Sequence, residues 1–234
     1  EKDKDRLSEF VIPKEDIFYI PSKKSTSIRN KYFTADKEKR QCTCISQADP
    51  FTIEDIPDVD CKIYHLAGLI YGDFDGKLIK DLAKKGKVAV DVQAFLRHAS
   101  GDNTEMYFED WKEKKELLPY IDYFKTDTAE AEILTGTSDR KKAAKILYSW
   151  GAKEVVITHN TEVLAYDGEE IYTCPIKARN LSGRSGRGDT TFAAYITERL
   201  NSSVRDSLLF ATATVSAKME APGPYRGNRE DVLK

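Results

Sequence analysis

The 234-residue sequence lacks an excess of charge of either sign, has few cysteines and contains no long apolar run. Its 37 lysines and arginines nearly balance its 39 aspartates and glutamates, which argues against a protein that binds nucleic acid through a basic surface. No apolar segment approaches the roughly 20 residues that a membrane-spanning helix needs, so we expect no membrane partner. Four cysteines are too few for a disulfide scaffold of this size, which favours a reducing, cytoplasmic compartment.

The cysteines and histidines do not form a metal-binding pattern. Cys42 and Cys44 alternate within the stretch RQCTCIS, so a strand would direct both to one face, and the sequence has no second pair at zinc-ligand spacing. We therefore expect buried thiols. His65, His98 and His159 are scattered, and we expect structural or peripheral roles for them.

The first 46 residues have the character of extended chain. Residues 16–22, 25–34 and 40–46 are rich in β-branched and aromatic side chains, which predicts strands. Residues 48–60 follow with two prolines and many acidic side chains, a composition typical of a linker. The sequence after this linker has a different pattern of apolar residues.

Beyond the linker, apolar strands alternate with amphipathic helices. The predicted strands are 62–70, 87–93, 120–126 and 153–159, and the predicted helices are 74–86, 106–118, 128–136, 138–151, 188–200 and 203–220. Residues 161–176 predict a hairpin that turns at Asp167 and Gly168. This alternation predicts an α/β fold, a three-layer α-β-α arrangement whose mostly parallel sheet is covered by helices on both faces.

The most informative segment is NLSGRSGRGDTTFAAYI, residues 180–196. Gly183, Gly186 and Gly188 come directly before an amphipathic helix, and a glycine-rich turn that leads into a helix leaves backbone N–H groups available for an anion. The spacing fits neither a Walker A motif nor the GxGxxG of dinucleotide-binding proteins. The alternative interpretation is an ordinary helix start, at which the helix dipole favours Asp189.

The segment GRGDTTFAAY resembles the C-terminal signature of the ribokinase-like (PfkB) carbohydrate kinases, whose core is Gly-Ala-Gly-Asp at the start of a helix. The resemblance implies that Gly186, Arg187 and Gly188 form an anion hole and that Asp189 is the catalytic base. Arg187 stands where the family has alanine. The resemblance further implies a three-layer ribokinase-like fold with a small β-strand lid.

Gly183 stands where the family signature usually has an aspartate. In many relatives that segment helps to form a monovalent-cation site, so the resemblance leaves a requirement for potassium open. Arg184 and Arg187 could instead supply positive charge beside the transferred phosphate, a role that suits a guanidinium group.

Two further segments match the family in order and spacing. Residues 125–136 resemble its Asn-x-x-Glu segment, which implies that Asp127 contacts the nucleotide and that Glu130 organises Mg²⁺; the alternative for Glu130 is a solvated acid in a first helical turn. Residues 155–168 resemble the strand, Thr-x-Gly and hairpin that hold the nucleotide, with Thr158 retained and Asn160 in place of the glycine.

The resemblance also indicates which residues lie beside the adenine and which face the acceptor. Residues 211–224, which include Gly223, resemble the small-residue helix and loop beside the adenine. Asp91 and Arg97 match the strand end that faces the acceptor, although a structural salt bridge between them is the alternative. The resemblance of residues 25–33 and 91–97 to the family favours a sugar or polyol such as an inositol as the acceptor.

The resemblance therefore implies an ATP-dependent kinase that uses Mg²⁺ to phosphorylate a hydroxyl of a small sugar, polyol or nucleoside. Residues 1–46 would supply lid strands, which could also join two copies into a homodimer, and residues 47–234 would form the nucleotide-binding and catalytic core. Relatives have an acceptor-binding segment and further strands ahead of the lid, so we expect additional residues upstream of Glu1.

Two other functions remain open at this stage. The departures at Asp127, Asn160, Gly183 and Arg187 are compatible with a degenerate member of the fold that binds nucleotide or regulates without catalysis. A pyridoxal-type kinase shares the Gly-x-Gly-Asp arrangement, but the lid-like strands argue against it.

Overall fold

A computed structural model describes residues 3–33, 40–183 and 185–233 of the chain. Its strands are β1 (Ser27–Tyr32), β2 (Arg40–Ser46), β3 (Ile63–Leu66), β4 (Lys87–Asp91), β5 (Arg97–His98), β6 (Thr104–Glu105), β7 (Tyr107–Phe108), β8 (Tyr123–Asp127), β9 (Val155–Thr158), β10 (Glu162–Tyr166) and β11 (Ile171–Pro175). Its α-helices are α1 (Gly76–Leu82), α2 (Gln93–Leu96), α3 (Lys114–Leu117), α4 (Thr128–Thr135), α5 (Arg140–Ser149), α6 (Arg187–Glu198), α7 (Val204–Met219) and α8 (Arg229–Leu233). Short 3₁₀ helices span Lys4–Glu9, Lys14–Asp16, Ile53–Asp55 and Leu118–Tyr120.

The central sheet has six strands in the order β11-β10-β9-β8-β4-β3. Strands β3, β4, β8 and β9 pair in parallel, and β10 and β11 continue the sheet as an antiparallel hairpin. The hairpin closes with Tyr166 opposite Ile171, and its turn contains Gly168 at φ 98°, as the Asp167-Gly168 pattern predicts. The mostly parallel sheet expected from the sequence is confirmed.

Helices cover both faces of this sheet, and the alternation of side chains along β4 shows why. Val88 and Val90 belong to a core that also contains the inner faces of α1, α4 and α5. Ala89 lies between them in sequence and belongs to a second core, formed with α6 and α7. Successive strand residues thus pack against opposite helical layers, which confirms the predicted three-layer arrangement.

A separate three-stranded sheet has the order β1-β2-β6. We call it the lid sheet. Strands β1 and β2 are antiparallel, as predicted, although the connection between them lies outside the described residues. Its third strand, β6, is formed by residues 104–105, which lie within the predicted core segment 47–234. The division into a lid at 1–46 and a core at 47–234 and the lid-mediated homodimer stay predictions.

Two predicted elements are wrong. Residues 16–22 form no strand, because no strand among the described residues pairs with them, and Phe18, Tyr19 and Ile20 are exposed. The predicted helix at 106–118 is helical only over α3. Its first part pairs as β7 with β5, an arrangement that also places Phe108 against the guanidinium of Arg97.

The four cysteines are free thiols, and the expectation of buried thiols holds for Cys44 alone. Cys44 is fully buried, and the half-buried Cys42 donates its thiol hydrogen to Oδ1 of Asn30 at 2.9 Å. Within the described residues, no helix is both long enough and apolar enough to cross a membrane.

Candidate active site

The amino end of α6 carries the glycine-rich turn singled out in the sequence. Gly186 precedes the helix with φ 80° and ψ 15°, a left-handed conformation that glycine adopts without steric cost. Asp189 lies in the first turn, and the first intrahelical amide bond runs from Thr190 to the carbonyl of Gly186. The earlier amides have no acceptor within the helix, and with the positive end of the helix dipole they favour an anion here.

This helix start forms one wall of a cleft of about 390 Å³. The cleft brings together eight of the residues singled out in the sequence: Gly186, Arg187, Gly188, Asp189, Asp127, Thr158, Asn160 and Arg97. They come from the ends of β8 and β9, the start of α6 and strand β5. Residues separated by almost 100 positions in the chain thus meet at one surface, which lies beyond the carboxyl ends of the parallel strands.

A buried ion pair lies beneath the helix start. Nζ of Lys125, near the end of β8, donates to Oδ2 of Asp91 at 2.8 Å, and both side chains are buried. Burial disfavours the Lys125 ammonium, but the negative charges of Asp91, Glu130 and Asp127 outweigh that effect and raise its pKa. The lysine therefore remains a fixed cation.

The Lys125 ammonium approaches α6 closely. A Cβ on Gly188 would lie 3.0 Å from Nζ of Lys125, so the glycine leaves room for the ammonium at the helix start. A cation beside the positive end of a helix dipole is unfavourable by itself. The pairing of a lysine with free helical amides is therefore typical of a site that binds an anion between them.

Asp127 and Glu130 form a capping box at the start of α4. Oδ1 of Asp127 accepts from the amide of Glu130 at 2.9 Å, and Oε2 of Glu130 accepts from the amide of Asp127 at 2.8 Å. Burial, together with the neighbouring Asp127 carboxylate, raises the pKa of Glu130 to about 7. Glu130 is thus a buried capping residue, and not the solvated acid of the alternative interpretation.

The carboxylates of Asp127 and Glu130 fit Mg²⁺ as part of a ligand set that a phosphate-bearing donor would complete. Mg²⁺ prefers oxygen ligands and is commonly held by one or two carboxylates together with phosphates of the substrate. Asp127 lines the cleft and Glu130 lies directly behind it, but the described residues contain no cluster of three side chains that could hold a metal alone. The arrangement suits a magnesium ion that arrives with a phosphate-bearing donor.

The salt bridge of Asp91 with Arg97, which was the alternative to a role facing the acceptor, does not form, because Asp91 pairs with Lys125. Arg97 is buried on β5, its guanidinium lies 5.9 Å from the ring centre of Phe108, and it lines the cleft. Its Nε has no hydrogen-bond partner among the described residues. A buried, unsatisfied donor at a cleft wall indicates a ligand acceptor group.

The lid sheet contacts the glycine-rich turn directly. The hydroxyl groups of Tyr32, at the end of β1, and Ser185 are hydrogen-bonded at 3.0 Å. Tyr32, Gln93 and Phe108 also line the cleft, so the lid side and the helix start enclose the same space.

Two predicted residues lie elsewhere. Gly223, expected beside the nucleotide base, is exposed, and it is absent from the described lining of the cleft. Arg184 lies outside the described residues. The assignments of all the predicted residues to base, anion hole, donor, acceptor and metal stay predictions.

The sequence interpretation missed two lysines, Lys125 and Lys218. Lys125 is the one cation in the predicted strand YIDYFKT. Lys218 is the one cation in the small-residue stretch ATATVSAKM. In the structure both are almost fully buried. The available signal was a lone lysine within an otherwise buried segment, which needs a partner or a ligand.

Comparison with known proteins gives a family match over most of the chain. The family model described as pfkB family carbohydrate kinase matches residues 59–231. A cytidine kinase of Thermococcus kodakarensis is 31% identical over 141 residues, which are 59% of this chain and 48% of that protein. The aligned part therefore spans about half the length of that relative.

Solved structures give longer matches. A pyrophosphate-dependent kinase in the ribokinase family, complexed with a pyrophosphate analogue and myo-inositol, is 35% identical with a TM-score of 0.87, over 99% of this chain and 81% of that one. The sulfate complex of a pyrophosphate-dependent kinase in the ribokinase family is 38% identical with a TM-score of 0.82, over 91% of this chain and 75% of that one.

Proposed function

Because the chain belongs to the pfkB family of carbohydrate kinases, we propose that it transfers a phosphoryl group from a phosphoanhydride donor to a hydroxyl of a small molecule. One observation carries this proposal. Asp189, the amino end of α6 and three cationic side chains, Lys125, Arg97 and Arg187, meet at a single polar cleft. A carboxylate beside an anion site is the arrangement that phosphoryl transfer to a hydroxyl requires.

Asp189 acts as the base in this proposal. Its carboxylate accepts the proton of the acceptor hydroxyl as the acceptor oxygen bonds to phosphorus and the bridging oxygen of the donor departs. The transition state is loose and the proton is transferred late, so a weak base suffices and positioning contributes most of the rate.

The charge of the transferred group is balanced by groups already in place. The amides at the start of α6, the Lys125 ammonium and the Arg187 guanidinium all lie at the cleft, where exclusion of water strengthens their effect. Bound Mg²⁺ would add positive charge to the donor phosphates, with Asp127 and Glu130 on the protein side.

Pyrophosphate is the donor that the cleft supports best. The donor side is formed by short polar residues, Asp127, Thr128, Thr158 and Asn160, whereas Gly223 and its loop are exposed and outside the described lining. A pyrophosphate needs amides and cations but no apolar surface for a base. Two relatives at 35% and 38% identity are pyrophosphate-dependent.

ATP, which the resemblance implies, is the second donor candidate. Thr158 and Asn160 match the segment that holds the nucleotide in the family, and both line the cleft. A nucleotide could bind with its terminal phosphates at α6 and its nucleoside toward the open side of the cleft.

The acceptor is a small polyhydroxyl compound in this proposal, with myo-inositol as the first candidate. Arg97, Gln93 and Tyr32 supply hydrogen-bond donors and acceptors on the side of the cleft near the lid sheet. A relative with a TM-score of 0.87 was solved with myo-inositol. Cytidine is the second candidate, because a relative at 31% identity is a cytidine kinase.

A matrix of donors and acceptors tests the proposal. Each of pyrophosphate and ATP is supplied with Mg²⁺ and with myo-inositol, ribose or cytidine, and formation of the phosphomonoester is followed. We expect product with pyrophosphate and a polyol. Saturable binding of donor without turnover on any acceptor would instead indicate the degenerate, non-catalytic protein considered from the sequence.

A further inference from the structure

Lys218, in the last turn of α7, has an unusual environment. Its side chain is 3% exposed, and its ammonium donates to the backbone carbonyl oxygens of Gly183 and Ser185. Both acceptors belong to the segment immediately before α6. We call Gly183 together with residues 185–188 the anion loop. One ammonium thus binds two carbonyl groups of the loop that presents Asp189.

The burial of this ammonium needs a reason beyond packing. Removing a charged amine from water is costly unless its hydrogen bonds are replaced, and burial lowers the pKa of Lys218. A Cβ on Gly186 would lie 3.9 Å from both Nζ of Lys218 and Oδ2 of Asp189, so the ammonium lies at the helix start that forms the cleft wall. A purely structural site could use an apolar side chain here at lower cost.

The anion loop is also docked tightly against the end of α7. The amide of Gly183 donates to the carbonyl of Met219 at 2.7 Å, and a Cβ on Gly183 would lie only 1.8 Å from the carbonyl oxygen of Ala221. No side chain fits at position 183. A residue with a carboxylate, which is usual there in the family, therefore cannot supply a ligand to a cation at this loop.

The direction of the Ser185 carbonyl sets the direction of the next amide. The C=O of Ser185 and the N–H of Gly186 belong to one planar trans peptide group and point in opposite directions. When Lys218 holds the carbonyl on the α7 side, the Gly186 amide faces away from α7, and Gly186 lines the cleft. The lysine thereby fixes a donor that can meet the transferred phosphate.

We propose that Lys218 is a positioning residue whose ammonium serves as a built-in monovalent cation for the anion loop, so that phosphoryl transfer needs no potassium or other free monovalent cation. The proposal rests on the proposed function. It assigns the role of the monovalent cation to Lys218, which contacts the backbone of the loop, and leaves Arg187 its place beside the transferred phosphate.

The test compares Lys218→Ala and Lys218→Met with Lys145→Met, a substitution of an exposed helical lysine on α5. Activity is measured with choline, sodium, potassium or ammonium as the only monovalent cation. We expect the wild-type rate to be the same in all four salts. Both Lys218 variants should lose about 10²–10³-fold in kcat, as after removal of one preorganised donor, with a smaller change in KM. Lys145→Met should match the wild type.

Rescue separates a positioning role from a structural one. Ammonium or methylammonium should restore part of the kcat of Lys218→Ala in a saturable way, because truncation leaves two carbonyls around a space for a cation. Lys218→Met fills that space and should not be rescued. A wild-type rate that depends on potassium, or a Lys218→Met variant with wild-type kcat, would overturn the proposal.

Melting temperatures keep this test independent of activity. Ammonium should raise the Tm of Lys218→Ala relative to choline, and should leave the wild-type Tm unchanged. If the wild type transfers phosphate from neither donor, the proposed function fails, yet an ammonium-dependent Tm in Lys218→Ala would still identify the cation position. Equal Tm values in ammonium and choline would reject that position.

Discussion

The ammonium of Lys125 donates to Oδ2 of Asp91 at 2.8 Å, and the pair is buried beneath the first turn of α6. The partners come from neighbouring parallel strands, whose register sets Asp91 opposite Lys125. Gly188 gives the ammonium its space at the helix. A rigid sheet thus holds a positive charge against the anion loop, and the cleft is preorganised for a phosphate.

Removal of one partner of this pair should destabilise the protein strongly. Lys125→Met leaves the Asp91 carboxylate buried without its cation, and breaking such a pair typically costs about 3–5 kcal/mol of unfolding free energy. Denaturant unfolding measures this cost. The double variant Asp91→Asn with Lys125→Met should recover much of the stability but none of the activity, since the cation at α6 is still absent. A double variant as active as the wild type would contradict the role of Lys125.

Asp189→Asn should abolish most of the transfer while the fold remains. Loss of a positioned base costs about 10²–10⁴-fold in rate. Asp206 occupies the equivalent position in the first turn of α7 and is exposed, so Asp206→Asn is a matched control. Initial rates of both variants measure the loss of transfer, and their Tm values show whether the fold remains. Comparable rates for the two variants would show that Asp189 is only a helix-start residue.

Gly183→Ala should disrupt the anion loop. The added Cβ would lie 1.8 Å from the carbonyl oxygen of Ala221, so the loop or the end of α7 must move. We expect a lower Tm and a loss of activity. Gly101→Ala is a control for backbone strain without a clash, since its φ of 149° disfavours alanine but its Cβ would meet nothing within 4 Å; the loss of activity should appear only in Gly183→Ala. If Gly183→Ala retained wild-type activity, the position of the loop would not matter for transfer.

His65 should make stability depend on pH. Burial lowers the pKa of His65, and its Nε2 has no partner among the described residues. The unfolded chain therefore binds a proton more readily than the folded protein, so the stability that this group contributes is present above about pH 6.5 and falls as the pH drops from there. His65→Leu should flatten this decline in urea unfolding at about pH 7.5 and about pH 5.5. An unchanged slope in His65→Leu would contradict this assignment.

Local sequence patterns predicted the elements that carry the site. The Gly186–Asp189 turn, the helix that follows it and the Asp167-Gly168 hairpin depend on local backbone chemistry, and the structure contains them. The strand expected at 16–22 is wrong because side-chain pattern alone cannot supply a neighbouring strand.

The missed residues depend on contacts that are remote in sequence. The partner of Lys125 is Asp91, 34 residues away in the sequence. One partner of Lys218 is the carbonyl of Ser185, 33 residues away. Neither spacing forms a motif, and a lone lysine in a helix is usually a solvated residue. The alternative of an Asp91–Arg97 salt bridge is excluded by the same kind of remote contact, since the register of β4 against β8 sets Asp91 opposite Lys125.

The most direct test of the account is a ³¹P NMR time course with pyrophosphate, Mg²⁺ and myo-inositol, in which wild type and Asp189→Asn are compared. We predict that the wild type forms a phosphomonoester and inorganic phosphate in equal amounts, and that the variant forms neither at a comparable rate. Release of phosphate alone, or no consumption of either pyrophosphate or ATP by the folded wild type, would contradict the assignment of this cleft to phosphoryl transfer.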